Sequence, residues 1–538
     1  MISADLIQEI TEWIKHDPDP NTAKQLQQWL DQNNLEKLTA AFNGFLQFGT
    51  AGLRGPIGPG PSCMNRAVVS RAAAGIAAFM KKYNLQSVVI GRDARHGSAE
   101  FAKDSAEILA GAGFKTYVLP RELPTPVLAF AVNKLKADVG IMVTASHNPA
   151  IDNGYKVYLG GVVGGVNYHG SQIISPIDSE ISEFISKADL KPKRITSYET
   201  VAESVIADYI KSVTAICQTP NQLKIVYTAL HGVGAETFLK VFNSAGFSNL
   251  IVVKEQEKPD PDFPTTPFPN PEEAGAIDLA IEYAKREGAD LVIANDPDAD
   301  RCAIAINDPD HGWRMLRGDE VGAIVGKYLI ERDRINNGAF ANSLVSSSLL
   351  GKMAKKAGIE FHETLTGFKW ISKISNLTFG YEEALGYCVD AKSVNDKDGI
   401  SVGLLIAQIA GELRDGGVSL ADYLNLIGDE YGFHKTDQIS IRVTDLSIIQ
   451  SLLSKFAANP PASLAGSTLI SAEDLSKSKS MATPGIRCYY NDGIRIIIRP
   501  SGTEPKLKCY IEIVSNSKSD AQLRCELVKK ELTTTLQQ

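Results

Sequence analysis

Strand-like apolar runs alternate with longer helical patterns along most of this chain, and unusual polar segments follow the apolar runs. Ser87–Asp93 reads as a buried strand with a polar tip, and Ala137–Ser146, Leu223–Gly232 and Ala289–Asp296 repeat the pattern. Ala99–Ala112 and Glu272–Glu287 carry helical spacing between them. Unbroken apolar strands separated by helices predict repeated α/β units with mostly parallel sheets, because a strand covered on both faces by helices has no polar side. In such sheets ligands collect beyond the carboxyl ends of the strands, where the polar segments fall here.

At 538 residues the chain far exceeds the roughly 250–300 at which one core stops growing. Polar breaks near Lys191–Thr200, Asp308–Gly318 and Asp429–His434 divide it into four expected domains, 1–200, 201–314, 315–432 and 433–538. The last differs in texture. Asn491–Arg499 and Leu507–Val514 read as two strands around a Gly/Pro loop, more like α+β than a doubly wound sheet.

A net charge of −8 argues against a broad nucleic-acid or anionic membrane surface, while a cleft can still be locally positive. No apolar stretch approaches the ~20 residues of a membrane span. Ile7, Ile10, Trp13 and Ile14 follow helical spacing, so the first residues predict an amphipathic helix rather than a signal peptide. The seven cysteines are scattered, with no CxxC pair, which fits a reducing, cytoplasmic setting. The oligomeric state is left open.

Four polar segments carry the chemistry. Thr144–Lys156 follows an apolar strand, and its Pro149 and Gly154 predict an exposed loop. Ser146 at the strand end is placed as a nucleophile or phosphate carrier, with His147 and Lys156 as positive charge; an Asn/Pro turn is the plain alternative. Asn295–Arg301 follows the strand Leu291–Ala294 and sets carboxylates at Asp296, Asp298 and Asp300, the hard oxygen ligands of a divalent cation. A Ca²⁺ helix–loop–helix fails, since its sixth position is Arg301 rather than glycine and its twelfth is Asn307 rather than glutamate. A phosphotransferase with Asp296 as nucleophile, or a solvated acidic turn, remains open at this point.

The third segment, Gly380–Gly386, presents Glu382 and Glu383, which could accept hydrogen bonds from paired sugar hydroxyls, and Asp396–Gly399 follows it. The fourth, Arg499–Pro505, sits between two strands. Gly502 lets the backbone approach an anion, Ser501 and Thr503 offer donors, and Arg499 can grip a phosphate through two bonds. Together the segments provide two phosphate positions, one metal and a sugar reader. A kinase would need a nucleotide site, and neither a P-loop nor a kinase glycine loop occurs. A simple phosphatase would need only one phosphate position.

With these segments in view, the sequence resembles the α-D-phosphohexomutase superfamily, the phosphoglucomutases and phosphomannomutases, and within it the phosphoglucomutase-2-like branch. The matching motifs are TASHNP at 144–149, DPDADR at 296–301, EEALG at 382–386 and RPSGTEP at 499–505, with FGTAGLRG at 48–55, TALHGVG at 228–234 and TGFKW at 366–370. The resemblance implies an α/β fold of four domains around a central cleft, three similar mixed α/β sandwich domains plus a C-terminal α+β domain. It implies that Ser146 is the phosphoserine and, with Asp296, Asp298 and Asp300, a Mg²⁺ ligand. Arg54 and Lys156 match positions beside the transferring phosphoryl group, and His147 could assist them. Thr366, Gly367, Glu382, Glu383 and Lys397 match the sugar side, and Arg499, Ser501, Gly502 and Thr503 the phosphate that is not being transferred. The implied reaction interconverts glucose 1-phosphate and glucose 6-phosphate through a hexose 1,6-bisphosphate. Mannose or pentose phosphates are the alternatives, and an aspartyl-phosphate phosphatase the rival from another class. Ala384 stands where glucose-preferring relatives often carry serine, and Lys506 or Lys508 could replace a distal arginine seen in some of them. His231 is assigned no chemistry.

Overall fold

The computed structural model describes residues 2–49, 52–189, 191–332, 337–443, 446–479, 481–501 and 506–537. Its contacts divide the chain into two compact units, Met1–Asn307 with Gly386–Gly411, and Asp308–Leu385 with Glu412–Gln538. The expected segment 315–432 is therefore shared between units, since residues 386–411 pack with the first.

The first unit opens with three short helices, Ala4–His16, Pro20–Asp31 and Leu35–Ala41. Each starts on a side-chain cap, from Ser3, Asp19 and Asn34 respectively, which satisfies N–H groups that a helix cannot bond internally. Ile10, Leu26 and Leu38 form their shared core.

A seven-stranded sheet follows. Its centre is Ser87–Arg92, parallel to both Lys115–Val118 and Val139–Val143. Asp152–Leu159 then runs antiparallel to Val139–Val143, and Leu53–Pro56 antiparallel to Asp152–Leu159. Every residue of Val139–Val143 is buried, the expected state of a strand covered on both faces. A second sheet orders Leu250–Val252, Ile225–Thr228, Leu291–Asn295 and Cys302–Asp308. Its first three strands are parallel, and Leu291–Asn295 is likewise buried throughout.

The second unit begins on an α/β layer in which Ala339–Ser343 runs parallel to Glu360–Thr364 and to Leu377–Glu382. It ends in a six-stranded sheet in the order Phe433–Arg442, Lys506–Ser515, Ile494–Pro500, Ile486–Tyr490, Ser467–Asp474, Ser463–Leu464. Those strands pair antiparallel. Ile494, Ile496 and Ile498 face a core shared with Ala521, Cys525, Val528 and Leu532 of the helix Lys518–Gln537. This C-terminal part is α+β, as its texture predicts.

Three local expectations change. The helix expected over Glu272–Glu287 starts at Asp278, because Gly275 takes a positive φ of 86° in the preceding turn. The expected break at Asp308–Gly318 contains a strand, Gly312–Met315. The Ser146 segment is not an exposed loop, since Ser146 and Lys156 are buried and Asp152–Leu159 is a strand. Gly154 marks a close approach instead of a turn: a Cβ there would lie 2.5 Å from the Thr144 carbonyl oxygen. No described helix is long and apolar enough to cross a membrane.

Candidate active site

Two parallel strands deliver the central residues of the first unit. Val139–Val143 ends at Thr144, whose hydroxyl accepts the Ser146 N–H at 2.9 Å. Ser146 is held at φ 53°, a left-handed conformation that costs a non-glycine residue of order 1–3 kcal/mol and persists only where the surroundings impose it. Arg95 imposes it. Its guanidinium donates to the carbonyls of Ser146 at 2.8 Å, Asn148 at 2.5 Å, Pro149 at 2.8 Å and Asp152 at 3.1 Å.

Leu291–Asn295 ends at Asp296, and the turn that follows brings Asp296, Asp298 and Asp300 together. One oxygen from each lies within 4.8 Å of the others, and all three residues are buried. The neighbouring turn packs tightly on this loop, since a Cβ at Gly232 would fall 2.3 Å from the Pro297 Cα. The Ser146 hydroxyl donates to Asp296 Oδ2 at 2.8 Å and lies 3.1 Å from His147 Nδ1. The other Asp296 oxygen accepts the Arg301 N–H at 3.0 Å.

Lys156 Nζ donates to Asp298 Oδ2 at 2.7 Å and to Asp300 Oδ2 at 2.8 Å, and Lys397 Nζ lies 3.3 Å from the same Asp300 oxygen. The second oxygen of each of these carboxylates, Asp298 Oδ1 and Asp300 Oδ1, is buried without a hydrogen-bond partner. Buried unpaired carboxylate oxygens are costly. Two of them beside a third carboxylate fit a hard divalent cation, which takes oxygen ligands.

The electrostatics are steep. Burial, then Asp298 and Asp300, push the Asp296 carboxyl well above its usual range. Burial acts the same way on Asp300, but Lys156, Lys397 and Arg301 hold it below the usual value. Burial also works against the Lys156 ammonium, which Asp298 and Asp300 nevertheless keep raised. His147 is pushed well below its usual value by burial and by Arg301 and Arg54, so its ring is neutral at neutral pH. Arg54, on the strand Leu53–Pro56 opposite Gly154, is lowered by burial and reaches Asn148 Oδ1 at 3.4 Å.

The structure thus brings together Ser146, His147, Lys156, Arg54, Lys397 and the three aspartates. Two further residues join them that the sequence reading missed. Arg95 stands in the polar tip after Ser87–Arg92, and that tip was its only signal. Thr125 donates through its hydroxyl to Asp298 Oδ2 at 2.6 Å and through its N–H to the Asp298 carbonyl at 2.9 Å, and no motif announces it.

In the second unit, the Gly367 N–H donates to Glu382 Oε1 at 2.7 Å, with Gly367 at φ 113°. Thr366 beside it has a buried hydroxyl without a partner. Glu383 Oε2 accepts from the hydroxyls of Ser343 at 3.1 Å and Ser346 at 3.3 Å. Arg499 ends the strand Ile494–Pro500 with its Nε buried and unpartnered, and the Ser501 N–H donates to the Lys506 carbonyl at 2.7 Å. Gly502 and Thr503 lie outside the described residues.

Four domain models of the phosphoglucomutase/phosphomannomutase family match the chain: α/β/α domain I over 46–191, domain II over 207–312, domain III over 317–429 and the C-terminal domain over 442–530. The chain belongs to this family and is an intramolecular phosphotransferase, an isomerase of the phosphomutase class. It is 46% identical to a probable phosphomannomutase of Haemophilus influenzae over 85% of this chain and 94% of that one. It is 34% identical to a phosphoribomutase of Saccharomyces cerevisiae over 98% and 95%. A solved phosphoglucomutase/phosphomannomutase family protein from Burkholderia thailandensis shares the fold, with a TM-score of 0.69 at 19% identity over 91% of this chain and 97% of that one.

Proposed function

We propose that the chain is a phosphosugar mutase that carries the phosphoryl group on Ser146 and interconverts glucose 1-phosphate and glucose 6-phosphate in the cytoplasm. The observation that carries this reading is the buried Ser146 hydroxyl, hydrogen-bonded at 2.8 Å to a cluster of three carboxylates. Both oxygens of Asp296 already accept hydrogen bonds, which favours serine over Asp296 as the phosphoryl carrier.

Phosphoserine gives its phosphoryl group to the free hydroxyl of a sugar monophosphate, yielding a hexose 1,6-bisphosphate, and then takes back the other phosphoryl group. Lys156, Lys397, Arg54 and Arg301 offset charge on the transferring oxygens, which is where most of the rate enhancement in phosphoryl transfer arises. Mg²⁺ held by Asp296, Asp298, Asp300 and an oxygen on Ser146 would supply further charge neutralisation there. Neutral His147, 3.1 Å from the Ser146 oxygen, can accept the serine proton when Ser146 is the attacking hydroxyl. Burial of the serine keeps water from competing for the phosphoryl group. In the second unit, Glu382 and Glu383 are the proposed readers of sugar hydroxyls, and Arg499 with Ser501 the proposed grip on the second phosphate.

A second reading, with mannose or ribose as the sugar, is favoured by the names of the two relatives above. The test is kcat/KM for glucose, mannose and ribose 1-phosphates with Mg²⁺ and a catalytic amount of bisphosphate. A clear preference for mannose or ribose overturns the glucose assignment, and full activity of Ser146→Ala overturns the serine carrier. The linkage is an independent check, because phosphoserine survives acid whereas an aspartyl phosphate is cleaved by hydroxylamine.

A further inference from the structure

Thr125 opens the helix Thr125–Leu135 and is fully buried. Its N–H donates to the Asp298 carbonyl at 2.9 Å and its hydroxyl to Asp298 Oδ2 at 2.6 Å. One residue therefore holds both the backbone and the side chain of one member of the aspartate cluster. The first N–H groups of a helix have no partner within it, so this donor can serve the loop, and the positive end of the helix favours the carboxylate charge.

The mount is rigid. Pro124 and Pro126 fix the backbone on either side. The Leu123 N–H donates to the Arg92 carbonyl at 3.1 Å, which ties the segment to the strand Ser87–Arg92. The family models place Thr125 in domain I and Asp298 in domain II, and both lie in the first compact unit.

What this contact decides is which oxygen Asp298 offers. The χ2 torsion of an aspartate is broad and roughly two-fold, so nothing within the residue distinguishes Oδ1 from Oδ2. Lys156 donates to Oδ2 at 2.7 Å, but an ammonium on a flexible four-carbon stem can follow either oxygen. A buried β-branched threonine has few χ1 choices, and its hydroxyl donates to Oδ2 alone of the two. With both donors on Oδ2, Oδ1 is buried without a hydrogen bond.

We propose that Thr125 is a positioning residue for the divalent cation, locking Asp298 so that Oδ1 is the oxygen presented to the ion. This role rests on the reading of the aspartate cluster as the Mg²⁺ site. A group that orients a metal ligand without touching the metal changes affinity by about 10–100-fold when removed.

Mn²⁺ is the probe, since it shares the oxygen preference of Mg²⁺ and its free-ion electron paramagnetic resonance signal is lost on binding. Full-length wild type, Thr125→Val, Thr125→Ser and Asp298→Asn are titrated at equal phosphate content, with circular dichroism in EDTA checking the fold. Wild type is expected to bind Mn²⁺ in competition with Mg²⁺, and Asp298→Asn to bind it far more weakly. Thr125→Val keeps the shape and the N–H, and is expected to weaken binding by about 10–100-fold, while Thr125→Ser restores most of the affinity. Thr125→Ala gives the same comparison if the valine variant does not fold. A purely structural threonine would lower the melting temperature and leave the Mn²⁺ affinity of the folded protein unchanged. Wild-type affinity in the valine or alanine variant overturns the role of Thr125 and leaves the metal site standing. A serine variant as weak as the valine variant also overturns it, because the hydroxyl then does not account for the effect. Mn²⁺ binding that is absent from wild type, or undiminished in Asp298→Asn, overturns the cluster as the cation site and the role of Thr125 with it.

Discussion

Lys156 Nζ bridges Asp298 and Asp300 at 2.7 and 2.8 Å, and in each aspartate it takes the same oxygen, Oδ2, leaving Oδ1 buried without a hydrogen bond, that of Asp300 3.9 Å from Arg301 Nε. One side of each carboxylate is thus neutralised by the chain itself, and the other is left without a hydrogen-bond donor in a cluster of three carboxylates that could hold a cation. This division makes the lysine and the proposed Mg²⁺ complementary rather than competing, and it has a thermodynamic consequence.

Removing Lys156 from metal-free protein strands buried negative charge, which typically costs about 3–5 kcal/mol. Lys156→Met is therefore expected to unfold at a lower temperature than wild type in EDTA. Added Mg²⁺ stabilises both proteins, and it stabilises the variant more. Equal Mg²⁺-induced shifts in differential scanning calorimetry would show that lysine and metal act independently.

Arg95 fixes the four carbonyls that shape the turn carrying Ser146. Arg95→Met releases them, so amide exchange over residues 144–150 quickens, and kcat falls by about 10²-fold through misplacement of Ser146, the proposed phosphoryl carrier. The sugar KM changes far less, since the contacts of Arg95 are with the turn, Asp93 and the Phe263 ring rather than with the proposed sugar-binding residues. A variant that lost affinity for sugar phosphate while keeping kcat would contradict this positioning role.

Much of the site was readable before the structure because its residues act through local pattern. Ser146 and the aspartates each follow a buried apolar strand, and alternation at 296, 298 and 300 places three carboxylates in one tight turn. Arg95 was not readable, because its work is done by one guanidinium on carbonyls about fifty positions away, and neither periodicity nor composition records such a contact. Gly154 misled for a related reason. A glycine beside a proline turn signals a loop, yet this one sits in a strand so that the Thr144 carbonyl can approach. The α/β sheets and the α+β C-terminal part followed from hydrophobic period, whereas the return of residues 386–411 to the first unit is a tertiary choice that leaves no local trace.

Asp319 offers a pH test. Burial, together with the nearby Glu383 and Glu512 carboxylates, pushes its carboxyl up to about 6, even though Oδ1 accepts the Ser347 N–H at 2.6 Å and the Tyr381 hydroxyl at 3.0 Å. Between an unfolded value of about 3.9 and that raised value, the native state holds a proton that the unfolded state has released. Its contribution to stability therefore falls as pH rises through this window and is flat above it. Asp319→Asn keeps the accepting oxygen without the charge. The variant is expected to gain stability over wild type from pH 4 to 6, reaching about 2–3 kcal/mol at pH 7 in urea unfolding. A gap that does not widen with pH would assign the raised value to another group.

Glu512 shows the opposite sign. Its carboxylate accepts from the Ser347 hydroxyl at 2.6 Å and the Ser348 N–H at 2.8 Å, with Arg495 Nε at 2.8 Å and His434 Nδ1 at 3.0 Å. Burial opposes its charge, but Arg495 and His434 hold it far below the usual range. Arg495 in turn donates to the carbonyls of Leu344 and Ser346. The pair thus clamps the loop whose Ser343 and Ser346 hydroxyls reach Glu383, the proposed sugar reader. Two outcomes follow from one substitution. Glu512→Gln leaves the Arg495 charge buried beside a weaker partner, at a cost of about 3–5 kcal/mol at pH 7. Because the depressed carboxylate stabilises the fold only above its unfolded value of about 4.3, wild type loses this contribution as pH falls, and the two proteins converge toward pH 2. On the functional side, loosening the loop raises the sugar-phosphate KM while the proposed phosphorylation of Ser146 by bisphosphate proceeds as in wild type. A constant stability gap from pH 7 to 2 would mean that the ion pair is not what the carboxylate contributes, and an unchanged KM would detach this clamp from sugar recognition.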